Sequence, residues 1–136
     1  MEKLLVDTNI IIDLLAKRKS FYQEAQELFT LADERRLSLF ISALTFANTY
    51  YILSRDLNAD EARKIMIKFK TIVKILPLEN KVLELALSSD FSDFEDAVQY
   101  YTALDNKLEI IITRNKKDFK KSQLPVLTAK EYLNRL

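Results

Sequence analysis

The chain has 136 residues, 49% hydrophobic and 30% charged, with a net charge of +1. That is the length of one domain around one core, and a composition that excludes a disordered chain and gives no overall basic field for nucleic acid. It contains no cysteine, histidine or glycine. Disulfides, thiolate and imidazole metal ligands, an imidazole base and the Gly-rich phosphate loops are therefore excluded. No apolar run approaches the ~18 residues of a membrane span, and the N-terminus has no signal-peptide pattern, so a single domain over residues 1–136 in the cytoplasm is expected, with no membrane partner.

Lys3 to Val6 is a short apolar run, and Ile10, Ile11, Leu14 and Leu15 follow at helical spacing, which predicts strand, turn and helix. Ser20 with Gln23 predicts a capping box for a helix through Leu28 and Leu31 to about Arg35. Leu37 to Ile41 reads as a second strand, and Ser42 opens a helix running to about Ser54. Asn58 with Glu61 starts another, with Ala62, Ile65, Met66, Phe69 and Ile72 as its apolar stripe. Val73 to Leu78 is a third strand, and Pro77 makes it short or places it at an edge. A helix over about Asn80 to Ser88 follows, and Ser92 with Glu95 caps the next, which packs through Phe94, Ala97, Val98, Tyr101 and Leu104. It ends near Asp105, with Asn106 as the left-handed cap. Glu109 to Thr113 and Pro125 to Leu127 are the last strands, and Thr128 with Glu131 caps a terminal helix. In the absence of glycine, Asn, Asp and Lys are expected at left-handed positions. Alternating strands and helices predict an α/β layer fold with a mainly parallel sheet.

The polar interruptions fall at strand ends, where sites form in open parallel sheets. Asp7-Thr8-Asn9 breaks the run LLVDTNIIIDLL, and a carboxylate there needs a buried partner or a cation. Asp13, in the following helix, reads as its solvated face. Asp96 lies with Asp93 and Tyr100 on a stripe beside the apolar face of its helix; acids in a first turn are also favoured by the helix dipole without any function. Thr113, Asn115 and Asp118 bring a hydroxyl, an amide and an acid to another strand end, and Arg114, Lys116, Lys117, Lys120 and Lys121 crowd the same loop. Oxygen ligands alone imply a hard cation, Mg²⁺ or Mn²⁺, and such an ion beside a basic loop suits phosphodiester hydrolysis.

These stretches resemble the PIN-domain nucleases, and within them the toxin-like members of toxin–antitoxin pairs. LLVDTNIIIDLL resembles the first acidic motif, FISALTF the second-strand segment, DFEDAVQYYTAL the central acidic helix and IIITRNKKDF the last strand and loop. The resemblance implies a PIN-like three-layer fold, a mainly parallel four- to five-stranded sheet flanked by helices. It also implies a metal-dependent ribonuclease acting on RNA, often a homodimer and often neutralised by a small antitoxin. By the same resemblance Asp7, Asp96 and Asp118 match metal ligands, Asp93 supports Asp96, and Thr113 and Asn115 match the hydroxyl and amide of the catalytic set. Thr8, Asn9, Arg114, Lys116, Lys117, Lys120 and Lys121 are expected to engage the substrate. The departure is Asn48, on a helical face with Leu44, Tyr51 and Ile52, where the family usually has a glutamate. An amide brings no charge, so a PIN-derived module that binds RNA or protein without cutting is the alternative. An aspartate-nucleophile phosphotransferase is a further one, although DTN lacks the second acid of its DxD motif.

Overall fold

The computed structural model describes residues 1–136 and comprises, in chain order, β1 (Lys3–Val6), α1 (Thr8–Leu15), α2 (Tyr22–Asp33), β2 (Ser38–Ser42), α3 (Ala43–Asp56), α4 (Ala59–Phe69), β3 (Lys74–Leu76), α5 (Asn80–Leu87), α6 (Phe94–Asp105), β4 (Ile110–Ile112), a 3-10 helix (Lys116–Phe119), β5 (Val126–Leu127) and α7 (Ala129–Leu133). The five strands form one sheet in the order β3-β2-β1-β4-β5, and every pairing is parallel. The expected fold class is therefore the observed one, and β3, the Pro77 strand, is an edge.

Alternation along the strands builds three layers. Leu4, Val6, Leu39, Ile41, Ile110 and Ile112 share one core with residues of α1, α2, α3, α4 and α7. Leu5, Phe40 and Ile111 point to the other face, against Tyr100 and Ala103 of α6 and Phe119 of the 3-10 helix. Strands covered on both faces read as continuous apolar runs, which is why LLV and III are uninterrupted. Each fully buried Leu or Ile contributes roughly 1.5–3 kcal/mol.

Three caps lie where predicted: Ser42, Asn58 and Thr128 each accept from the backbone three residues on, and Thr128 with Glu131 closes a full capping box. Two do not. Helix α2 begins after Phe21 without a side-chain cap, and α6 is capped by Asp93, which accepts from the Asp96 N–H, rather than by Ser92. The left-handed positions are Lys17, Arg35 and Lys107; Asn106 keeps φ −102° and passes the turn to Lys107. Each follows a helix, and the next residue's N–H returns to the last turn: Arg18 to Asp13, Arg36 to Leu31, Leu108 to Ala103. These two-bond closures hold non-glycine residues in a conformation that costs about 1–2 kcal/mol each.

Candidate active site

The chain order runs outward from β1 through β2 to β3, then returns to the other side of β1 for β4 and β5. The reversal lies between β1 and β4, and at such a switch point the diverging helices open a crevice at the carboxyl ends of the strands. Asp7 immediately follows β1 and Thr113 immediately follows β4.

Asp7 is only 7% exposed, and each of its oxygens accepts two hydrogen bonds. Oδ1 accepts from the Thr8 N–H at 2.7 Å and Gln99 Nε2 at 2.9 Å; Oδ2 accepts from Thr113 Oγ1 at 2.7 Å and Asn9 Nδ2 at 3.3 Å. Four donors, one of them at the N-terminus of α1, offset the desolvation of a carboxylate set among LLV and III. Asn9 also donates to Thr113 Oγ1 at 3.2 Å and accepts the Arg114 N–H at 3.2 Å, so it ties β1 to the β4 exit. The Asn115 N–H completes the turn by donating to Thr113 Oγ1 at 3.1 Å. The Thr8 hydroxyl is buried with no protein partner.

Gln99, 1% exposed, is a site residue the sequence reading missed. Its carbonyl accepts from Thr45 Oγ1 at 3.5 Å, which in turn accepts from Ser42 Oγ at 3.1 Å, so a buried polar chain runs from the end of β2 to Asp7. Its spacing of three from Asp96, on the same helical face, was the available signal.

Asp96 is half-buried, and its carboxyl is pushed up to about 7. Burial is the largest cause, followed by the negative charges of Asp7, Asp93, Asp118 and Glu95. Glu95, also missed, is raised by burial and by Asp7 and Asp93, while the Asn48 amide beside it pulls in the opposite direction. Asp7, Asp93, Asp118 and the unforeseen Glu95 thus lie near enough to Asp96 to act on its carboxyl, and Asn48 stands beside Glu95. Asn48 is half-buried, but its helix-face neighbour Tyr51 is 64% exposed, so the α3 face expected to point inward only partly does so. On α6 the apolar face is likewise rotated: Phe94 and Leu104 are exposed and Tyr100 is buried.

The expected solvated Asp13 is the clearest correction. It is 1% exposed, and Arg114 grips it through Nε at 2.7 Å and Nη2 at 3.1 Å, with Arg18 at 3.8 Å. The Arg114 guanidinium also stacks on Phe21 at 4.0 Å. Arg114, expected on the substrate, is thus committed to α1, and Lys116 is committed to both oxygens of Glu131 at 3.0 Å. Lys117, Lys120 and Lys121 are exposed, as is the side chain of Asn115. A cavity of about 460 Å³ lies elsewhere, between Leu37–Leu39 and Thr71–Lys74 at the opposite end of the sheet.

A hard divalent cation fits this donor set. Four acids push the Asp96 carboxyl up, none of the causes acting on it is a neighbouring cation, and a bound positive charge would relieve that repulsion. No three acidic side chains stand close enough to form a ready-made cage. Mg²⁺ usually keeps several waters and takes one or two carboxylates, so the arrangement suits it better than an all-protein shell.

No curated protein matches the sequence. Among solved structures, DNA-bound VapBC from Salmonella typhimurium is 17% identical with a TM-score of 0.71, over 95% of this chain and 99% of that one. A toxin–antitoxin complex from Klebsiella pneumoniae is 27% identical with a TM-score of 0.65, over 93% and 97%. Mycobacterium tuberculosis VapC20, a sarcin–ricin loop cleaving toxin, is 17% identical with a TM-score of 0.63, over 79% and 86%. A sequence profile of the PIN domain matches residues 3–117. That match runs from β1 into the 3-10 helix and takes in Asp7, Asn48, Asp96 and Thr113 together, and on it the chain belongs to the PIN-domain family.

Proposed function

We propose that this chain is a metal-dependent ribonuclease, the toxin of a toxin–antitoxin pair, held in check by a small antitoxin protein. The observation that carries the reading is Asp96: a carboxyl lifted to about 7 by surrounding acids, opposite an Asp7 locked in place by four donors. Such unrelieved negative charge in a cleft is the signature of a cation site. Asp7 and Asp96 would hold Mg²⁺ or Mn²⁺, with Asp118, Asp93 and Glu95 adding charge around them. When bound, the ion supplies Lewis acidity, lowering the pKa of a coordinated water and offsetting charge on the phosphate. Thr113, Gln99 and Asn9 keep the Asp7 carboxylate oriented, and the exposed Asn115 amide stands at the mouth of the cleft to orient the phosphate. The toxin role and the antitoxin partner are supported by the fold shared with the toxin–antitoxin complexes.

Asn48 favours the alternative of a binding module that does not cut. Against it, Glu95 sets a carboxyl beside the Asn48 amide, so the cleft does not lose an acid. A phosphoaspartate mechanism is disfavoured because DTN puts Asn9 where its second acid would stand.

The test is cleavage of labelled single-stranded RNA with Mn²⁺, compared with Asp96→Asn purified identically. Cleavage that needs the metal and is lost in the variant is expected. Equal cleavage by both proteins, or no cleavage and no metal-induced rise in Tm, would refute the proposal.

A further inference from the structure

The five cations between Arg114 and Lys121 are of two kinds. Arg114 and Lys116 are bound within the protein, to Asp13 and Glu131. Lys117, Lys120 and Lys121 have no carboxylate within the 4.0 Å ion-pair distance. Those three line a cleft of about 150 Å³ whose facing wall is Asp90–Ser92, and Asp118 completes the lining.

The backbone explains the grouping. At the end of the 3-10 helix the Lys120 N–H donates to the Lys117 carbonyl, and this three-residue spacing sets Lys117 and Lys120 on one face, with Lys121 following in the turn. Phe119 is buried beneath them. Phe91, on the facing wall, packs against Phe119 at 6.3 Å and Tyr100 at 5.1 Å between ring centroids. Both walls therefore stand on one aromatic cluster, and the cleft is part of the fold rather than a chance meeting of flexible side chains. Three ammonium groups against Asp90 and Asp118 leave it net positive. Asp118 also faces Asp96 closely enough to repel it, so the cleft adjoins the carboxylate site.

We infer that this cleft is a subsite for a backbone phosphate of single-stranded RNA, next to the phosphate at the Asp7 and Asp96 carboxylates, with Lys117, Lys120 and Lys121 as its contacts and Arg114 and Lys116 serving structure instead. The identity of the polymer rests on the ribonuclease reading. Ammonium groups on long stems act as point charges, so the subsite reads charge and not base sequence.

The experiment is fluorescence anisotropy with a labelled single-stranded RNA in EDTA, where no cutting occurs, over a series of salt concentrations. The proteins are the parent, the triple variant Lys117→Gln/Lys120→Gln/Lys121→Gln, and Lys116→Gln. The triple variant should flatten the slope of log K against log salt by about 2, at about 0.7 per lost phosphate contact, while Lys116→Gln keeps the parent slope. An unchanged slope in the triple variant, an equal loss in Lys116→Gln, or no RNA binding by the parent overturns the inference. All the substituted side chains are exposed, so matching circular dichroism spectra and Tm values should confirm that folding is untouched. RNA cleavage by the parent with an unchanged triple-variant slope would sink the subsite and leave the enzyme. The predicted slope change without cleavage by the parent would do the reverse.

Discussion

Replacing Asp96 with asparagine should stabilise the metal-free protein, by an amount that grows from about pH 4 and levels off above about pH 7. The Asp96 carboxyl rises from 3.8 in the unfolded chain to about 7 in the fold. Between those values the folded state holds a proton that the unfolded state has lost, so stability falls as pH rises through the window and the full penalty is present above it. The difference corresponds to about 4 kcal/mol at roughly 1.4 kcal/mol per pH unit, and solvent screening of a half-buried group reduces the realised share to about 2 kcal/mol. Asp96→Asn removes that charge and keeps the backbone N–H that Asp93 caps. In EDTA at pH 8 the variant should therefore unfold about 6 °C above the parent, at roughly 3 °C per kcal/mol for a chain of this size, and the two should converge near pH 4. Thermal unfolding followed by circular dichroism at pH 8, 6.5, 5 and 4 measures this. On the metal-dependent proposal, millimolar Mn²⁺ at pH 8 should reverse the order, because only the parent keeps both proposed ligands, Asp7 and Asp96. A variant less stable than the parent at pH 8, or an advantage that does not change with pH, would refute the electrostatic account of the cleft.

Arg114→Met should cost about 3–5 kcal/mol in urea unfolding, because it strands the buried Asp13, whereas the double variant Asp13→Leu/Arg114→Met should recover most of that loss; a double variant as unstable as the single one would mean that the pair itself, not the stranded charge, supplies the energy. Asn48→Glu adds a carboxylate beside Glu95, and should lower the Tm of the metal-free protein and enlarge the rise on adding Mg²⁺ or Mn²⁺; equal metal-induced rises in parent and variant would show that position 48 does not face the cleft.

The local signals in the sequence were read well where one residue and its third neighbour decide the outcome. Asn58 and Thr128 are such caps, and the strands LLV and III are bounded by polar residues on both sides. Ser92 failed because Asp93 offers the same cap one residue later, and the one-residue shift went with a rotated α6 face, exposing Phe94 and burying Tyr100 against Phe91. Asp13 was misread because its partner lies 101 positions away, in the loop after β4, which meets α1 only in the folded chain. Gln99 and Glu95 escaped for a related reason: an amide and an acid on a polar helix look solvated until the neighbouring strand ends close over them. Asp7 was legible because a carboxylate inside an apolar run has few innocent explanations.

The strand order also sets a timetable for synthesis. β1 is made first and can pair with β2 after some thirty-five residues, so the β1-β2-β3 half of the sheet has its partners early. The other neighbour of β1 is β4, which carries Thr113 and leads into the loop of Asn115 and Asp118, and it arrives only in the last fifth of the chain. Pairings this distant in sequence form late, and domains fold largely from the N-terminus as they are made. Until then Asp7 lacks the Thr113 hydroxyl that fixes it, and Asp96 lacks Asp118. A chain that stops short of β4 therefore lacks the assembled carboxylate cluster, which comes into being only when the chain is all but finished.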